Sequence, residues 1–162
     1  MSIGVGDRIP AVSVKHKRGD AIEDIEMAEL FSGKKVVLFG LPGAFTPTCS
    51  GKHVPGYLAH AADLKAKGVN LIVCLSVNDA YVMEAWERDE KVGDEILMLA
   101  DGNCAFTGAL GLDVDMSAAG YGMRSRRFAL VAEDGVVTHI AVEPERTLDV
   151  SSAEKILQVL SI

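Results

Sequence analysis

Cys49 stands where a thiol is most easily converted to a thiolate. It follows an apolar run, residues 36–40, that is typical of a buried strand, and it precedes a pattern that is typical of a helix. Unpaired backbone N–H groups and the helix dipole favour an anion at such a junction. This placement can lower the pKa of a cysteine from about 8.5 to roughly 3.5–7.5, and the thiolate is the nucleophile. Cys49 is therefore the first candidate for chemistry, although a cysteine at such a junction is often only a small buried apolar residue.

The loop before Cys49 has a restricted shape. Pro42 and Pro47 constrain the backbone on both sides of the loop, and Gly43 permits close approach by another group. Thr46 can donate a hydroxyl hydrogen bond to a sulfur or to a substrate oxygen. Viewed by itself, a threonine in a loop more often bonds to the neighbouring backbone.

The pattern Pro42-x-x-x-Thr46-x-x-Cys49 resembles the active-site motif of the peroxiredoxins, which are thiol peroxidases. The longer segment 42–56 is similar to the type II (Prx5-like, atypical two-cysteine) branch of that family, and segments 74–79 and 124–130 match as well. The matches run in order along nearly the whole chain. The resemblance implies one domain, residues 1–162, that reduces hydrogen peroxide and organic hydroperoxides through a cysteine sulfenic acid.

The same resemblance implies a set of site residues. The family motif assigns catalysis to Cys49, Thr46, Pro42 and Arg127, and Cys74 matches a cysteine that can resolve the sulfenic acid in type II members. Contacts with the substrate are expected from three further residues of the motif, namely Phe45, Thr48 and His53. His53 is expected to be structural or a hydrogen bonder in the pocket wall, because a thiol already present as thiolate needs no general base.

A cation must stabilise the charge that develops on oxygen when a thiolate attacks an O–O bond. Alternation along a strand sends Arg126 and Arg127 to opposite faces, so only one of them looks into the pocket. Periodicity does not say which one, and the resemblance selects Arg127. Arg124 and Arg126 are expected to be solvated or ion-paired at the surface.

The second thiol, Cys74, leaves two interpretations open. It lies in the middle of an apolar run, about four residues from the end of the predicted strand, which is on the order of 13 Å from the catalytic end. A disulfide needs Cα atoms within about 7 Å, so bonding to Cys49 would require the active-site turn to unwind. Cys74 could equally be a buried core residue while an external thiol resolves the sulfenic acid. Cys104 is expected to be structural.

Composition excludes several other classes. The formal charge of −7 argues against nucleic-acid binding, which needs a basic face. No run of about 18 apolar residues predicts a membrane span, and no signal-peptide pattern is visible. Cytoplasmic localisation is therefore expected, where cysteines point to reactivity rather than to a disulfide framework. Cys49 and His53 have i, i+4 spacing without further ligands nearby, so no metal and no cofactor are expected.

The chain alternates strand-like and helix-like segments. Strands are predicted at 34–39, 70–77, 95–99, 126–132 and 136–142, and helices at 50–67, 79–90, 104–110 and 152–160. Residues 133–135 give a hairpin signal. This order predicts an α/β protein of thioredoxin-like fold, with a central mixed sheet flanked by helices. The segment through Leu30 would add a hairpin and a short helix, which is the N-terminal extension that the resemblance to peroxiredoxins implies.

Partners and alternative functions follow from the resemblance and from single residues. Type II members suggest glutaredoxin and glutathione as the reductant, with thioredoxin as runner-up, and they suggest a homodimer that pairs through Phe45 and residues 79–82. A general thiol-disulfide oxidoreductase would need Cys-x-x-Cys, but Lys52 takes the position of its second cysteine. A peroxide-sensing redox signalling protein is the remaining alternative.

Overall fold

The computed structural model describes residues 2–144 and 147–161. Its main strands are β1 (Ser13–Arg18), β2 (Ala21–Glu26), β3 (Lys35–Leu41), β4 (Leu71–Ser76), β5 (Leu97–Ala100), β8 (Phe128–Glu133) and β9 (Val136–Val142), and a small ribbon consists of β6 (Asp113–Asp115) and β7 (Met123–Ser125). The main sheet has the order β2-β1-β5-β4-β3-β8-β9. Strands β3, β4 and β5 are parallel, whereas β1 and β8 join them antiparallel. The predicted mixed sheet is thus confirmed.

Helices cover both faces of this sheet. They are α1 (Met27–Phe31), α2 (Val54–Ala59), α3 (Ala61–Ala66), α4 (Ala80–Glu90), α5 (Ala105–Leu110) and α6 (Ala153–Leu160), with a π-helical turn at Cys49–His53 and a 3-10 turn at Ser117–Ala119. The β1–β2 hairpin and α1 form the predicted N-terminal extension. No helix among the described residues is both long enough and apolar enough to cross a membrane.

Strand β3 is buried on both faces and carries the active-site loop at its end. Val37 and Phe39 face one apolar core, which also contains Cys49, and Val36 and Leu38 face the other. Burial on both faces is the reason why this strand reads as a continuous apolar run. The two cores hold β3 rigidly and therefore fix the point from which the loop to Cys49 begins.

The predicted helix 50–67 is wrong as a single element. The structure has the π-helical turn, α2 and α3 in its place, with a break at His60, where φ is −102° and ψ is 9°. Pro55 has no N–H and its ring clashes with the carbonyl one turn earlier. The chain widens at this point, and the N–H of Val54 donates to the carbonyl of Cys49, five residues earlier.

Candidate active site

Cys49 begins the π-helical turn and is fully buried. Nη2 of Arg127 donates a hydrogen bond to its Sγ over 3.2 Å. Arg127 precedes β8 and is also buried, whereas Arg126 is exposed. Both arginines line the adjoining pocket, so the expectation that only one of them looks into it is wrong. The structure therefore brings together the thiol and the arginine that the resemblance selected.

The register of two strands places Arg127 beside the thiol. β8 lies antiparallel to β3, with Phe128 opposite Gly40. The residue before Phe128 therefore reaches the end of β3, where the loop to Cys49 starts. The close approach depends on Gly40, because a Cβ there would lie 2.2 Å from Cε1 of the Phe128 ring.

His53 lies behind the guanidinium and does not line the pocket that Arg127 faces. Its Nδ1 is 2.8 Å from Nη1 of Arg127, and its Nε2 is 3.2 Å from the carbonyl oxygen of Ser151. A carbonyl only accepts, so Nε2 carries the proton and Nδ1 accepts from the arginine. Burial and the charge of Arg127 lower the pKa of His53 to about 3. His53 is thus neutral and orients the guanidinium, which differs from the expected contact with substrate.

A pocket of about 290 Å³ lies next to these groups, and Pro42, Thr46, Thr48 and Arg127 are among its lining residues. The Thr46 hydroxyl donates to the carbonyl of Gly43 over 2.7 Å. Its only proton is used within the loop, so of the two bonds that the sequence left open for Thr46 the structure shows the local one to the backbone. The hydroxyl oxygen can still accept a hydrogen bond from a molecule in the pocket.

Two residues outside the 42–49 loop hold it in place. Oδ1 of Asn78 accepts from the amide of Ala44 over 3.0 Å. Nη1 of Arg124 donates to the carbonyl of Pro42 over 3.1 Å, and a Cβ at Gly43 would lie 2.5 Å from that nitrogen. Arg124 is therefore packed against the loop, and the expectation of a solvated or ion-paired surface role is wrong. The matches at 74–79 and 124–130 were the available signal for both residues.

Trp86, a residue of α4, also contacts the active-site helix. It is fully buried, yet its Nε1 donates to Oγ of Ser50 over 3.0 Å, next to the reactive cysteine. The sequence around Trp86 does not predict this hydrogen bond. The contact ties α4 to the π-helical turn that carries the thiol.

Phe45 lies on the outside of the loop, where half of its surface is exposed (50%) and its φ is +64°. It is not among the residues that line the pocket. Its ring centroid is 6.3 Å from that of Trp86. Phe45 therefore presents an apolar side chain to solvent beside the site rather than to a ligand within it.

The other cysteines are free thiols in different surroundings. Cys74 is fully buried in the middle of β4, opposite Phe39, and belongs to the same apolar core as Cys49. Burial, with a further contribution from Cys49, raises the pKa of the Cys74 thiol. Cys104 is half-buried, and burial raises its pKa too. Neither thiol is poised as a nucleophile in this conformation.

A free thiol held by a guanidinium at the first turn of a helix, on a mixed sheet flanked by helices, defines a thiol-dependent oxidoreductase of thioredoxin-like fold. Residues 4–157 match the Redoxin family. Peroxiredoxin-2B of Arabidopsis thaliana is 46% identical, covering 98% of this chain and 98% of its own. Hybrid peroxiredoxin hyPrx5 of Haemophilus influenzae is 41% identical over 99% of this chain and 68% of its own.

Solved structures give the same result. Reduced Prx3 of Vibrio vulnificus in complex with H2O2 superposes with a TM-score of 0.93 at 49% identity, covering 98% of this chain and 96% of that one. The chain belongs to the peroxiredoxins. It is a thiol-dependent peroxidase similar to the type II branch of that family.

Proposed function

We propose that Cys49 is the thiolate that attacks the hydroperoxide. The observation that carries this proposal is the 3.2 Å hydrogen bond from Arg127 to Sγ. The positive charge of the Arg127 guanidinium, fixed beside the sulfur, favours the thiolate. The same charge lies where negative charge develops during the reaction. The sulfur attacks the nearer peroxide oxygen, the S–O bond forms and the O–O bond breaks. The attacked oxygen keeps its hydrogen, so Cys49 becomes a sulfenic acid, and the leaving oxygen takes a proton from solvent and departs as water or alcohol.

The other groups of the pocket orient the hydroperoxide. The Thr46 hydroxyl oxygen accepts a hydrogen bond from the O–H of the hydroperoxide, because its own hydrogen is donated to the carbonyl of Gly43. The amides of Thr48 and Cys49 lie in the first helical turn, where backbone N–H groups lack intrahelical partners and can donate to developing negative charge. Pro42 forms part of the apolar wall that keeps water from the thiolate. Arg127 holds both the sulfur and the leaving oxygen in line.

An external thiol, glutathione delivered with glutaredoxin, is the proposed reductant, with thioredoxin as the alternative. The support is the burial of Cys74, whose raised pKa leaves it a poor attacking thiol in the folded state. The external thiol attacks the sulfenic sulfur, water leaves, and a second thiol reduces the mixed disulfide. Cys74 can take this role only if the π-helical turn unwinds.

A cytoplasmic homodimer is proposed as the working form. Phe45 is half exposed and Tyr81, in the segment expected at the interface, is 64% exposed. Exposed aromatic residues beside a catalytic loop are typical of surfaces that another chain covers. Burying them in a dimer would also support the outside of the loop.

Peroxide consumption by purified protein, assayed in parallel with glutaredoxin and thioredoxin systems, tests the proposed function. Cys49→Ser should abolish peroxide reduction, because serine cannot supply a thiolate. Cys74→Ser and Cys104→Ser are the matched controls, and both should retain the first turnover with peroxide. Full activity in Cys49→Ser would refute the assignment of the nucleophile.

A further inference from the structure

A buried carboxylate lies beside the active-site arginine and lines the same pocket. Glu143 directly follows β9 and is almost fully buried (3% exposed). Its Oε2 accepts three hydrogen bonds, from the amide of Asp149 at 2.7 Å, the amide of Ser151 at 2.9 Å and Oγ of Ser151 at 2.7 Å. One carboxylate oxygen thus closes the turn that leads into α6.

The charge of this group is maintained despite its position. Burial acts to raise the pKa of Glu143, but the hydrogen bonds from Asp149 and Ser151 outweigh it and hold the pKa below its usual range. Hydrogen bonds to an ionised carboxylate are stronger than bonds between neutral groups. The turn at residues 149–151 is therefore held by a charged clamp rather than by backbone bonds alone.

The clamped turn presents one carbonyl to the back of the active site. The oxygen of Ser151 accepts from the hydroxyl of Tyr57 at 2.8 Å and lies 3.2 Å from Nε2 of His53. This acceptor requires the His53 proton on Nε2, and Nδ1 is then free to accept from Nη1 of Arg127 at 2.8 Å. With the proton on Nδ1, two donors would face each other and the guanidinium would be pushed away.

Glu143 also lies beside Arg127 in the sheet. Its amide donates to the Arg127 carbonyl over 2.9 Å, which continues the antiparallel pairing of β9 with β8. Residues opposite each other in such a pair carry their side chains on the same face. The carboxylate and the guanidinium therefore share one side of the sheet, and the turn is anchored directly next to the residue that it supports.

We propose that Glu143 is a positioning residue for the peroxidase reaction. Its carboxylate holds the Ser151 carbonyl where it fixes the His53 tautomer, and that tautomer keeps the Arg127 guanidinium on the sulfur of Cys49. The inference rests on the proposed roles of Cys49 and Arg127. Glu143 lines the same pocket as Arg127, but its Oε2 is bound to the turn, and in this scheme it acts on the sulfur through the turn and the imidazole.

The first measurement is the tautomer of His53 in protein labelled with ¹⁵N, because the protonated and unprotonated ring nitrogens differ strongly in chemical shift. The chain has 4 histidines, and His53→Gln assigns the signal. The wild type should carry the proton on Nε2. Glu143→Ala removes the clamp and should give a mixture of both His53 tautomers. Glu143→Gln keeps one acceptor oxygen, so its fraction of the Nε2 tautomer should lie between those of the wild type and Glu143→Ala.

The second measurement is reactivity. In Glu143→Ala the reaction of Cys49 with hydrogen peroxide should be slower than in the wild type. The rate of oxidation by hydrogen peroxide should fall roughly 10-fold or more, within the ~10²-fold that a misplacement of about 1 Å can cost.

Asp101→Asn is the matched control. Asp101 is another buried carboxylate that holds a turn, accepting from the amides of Phe106 at 3.1 Å and Thr107 at 2.7 Å at the start of α5. Its replacement should destabilise the protein without changing the His53 tautomer. Equal changes in tautomer and rate for Asp101→Asn and Glu143→Ala would overturn the proposal, because they would show a general loss of structure.

Other outcomes also decide the matter. A folded Glu143→Ala with the proton on Nε2 and the wild-type oxidation rate would overturn the proposal. If that variant does not fold, Ser151→Ala removes only the Oγ donor and should shift the tautomer in the same direction by a smaller amount; no shift would overturn it. The tautomer reading needs no catalysis, so a failure of the roles proposed for Cys49 and Arg127 would be recognised separately.

Discussion

The buried neutral state of His53 makes the stability of the protein depend on pH. Burial and the neighbouring Arg127 charge lower its pKa to about 3 in the folded protein, against 6.5 for an ordinary histidine. In the unfolded chain His53 therefore becomes protonated near pH 6.5, whereas in the folded chain it becomes protonated only near pH 3. Between these values the unfolded state binds more protons, so the free energy of unfolding must fall as the pH falls.

The size of the effect follows from this difference. Each pH unit between the two pKa values of His53, 6.5 and about 3, costs about 1.4 kcal/mol of stability. Integrated from pH 7 to pH 4.5, where the first half unit contributes little, the loss from this one group is about 2.5 kcal/mol. The total is a substantial part of the roughly 5–15 kcal/mol that stabilises a typical protein.

Urea unfolding at a series of pH values measures the loss, and His53→Gln removes the titration while it keeps one donor and one acceptor. The variant should lose about 2.5 kcal/mol less than the wild type between pH 7 and pH 4.5. His139→Gln, which replaces a half-buried histidine whose pKa is lowered by burial alone, should stay much closer to the wild type. Parallel curves for the wild type and His53→Gln would refute the reasoning.

Further predictions concern catalysis and assembly. Arg127→Ala should slow oxidation about 10²–10³-fold in stopped-flow measurements, whereas Arg126→Ala should do little; the reverse order would contradict the site. Arg124→Ala frees the Pro42 carbonyl and should speed hydrogen exchange of the 42–49 loop and lower the oxidation rate; unchanged exchange would exclude an anchoring role. Cys74→Ser should keep its steady-state activity with glutaredoxin and glutathione; near-complete loss with intact circular dichroism would make Cys74 the obligatory resolving thiol. Sedimentation at micromolar concentration should show a dimer that Phe45→Asp weakens; a wild-type monomer would exclude this interface.

The fold could be predicted where local signals agree with the packing. The apolar runs of β3 and β4 mark strands buried on both faces. The predicted helix 79–90 is confirmed as α4, with Asp79 as its cap. In the hairpin, φ is +50° at Asp134 and +78° at Gly135, which is the two-residue turn that the sequence indicates. The ribbon of β6 and β7 was not predicted, because its short, largely exposed strands have no clear periodicity.

The candidate site could be predicted only in part, because its supports come from distant segments. Pro42, Thr46 and Cys49 share one loop and are recognised by spacing. Asn78 and Arg124 reach that loop from other elements, and only the tertiary structure shows which backbone groups they hold. The hydroxyl of Thr46 could form either of two bonds, and its position next to the Gly43 carbonyl decided between them.

The choice between Arg126 and Arg127 is a question of strand register, since a shift by one residue exchanges the two faces. Gly40 lets the Phe128 ring pack closely against β3 and so contributes to that register. A second irregularity acts on β9: the register shifts between Val131 and Ala132, so that Glu143 rather than Val142 continues opposite Arg127. Without this bulge Val142 would lie opposite Arg127, and the Glu143 side chain would lie on the opposite face of the sheet from the guanidinium. The position of the arginine and that of its proposed support therefore depend on irregularities in two strands, which no repeating pattern in the sequence encodes.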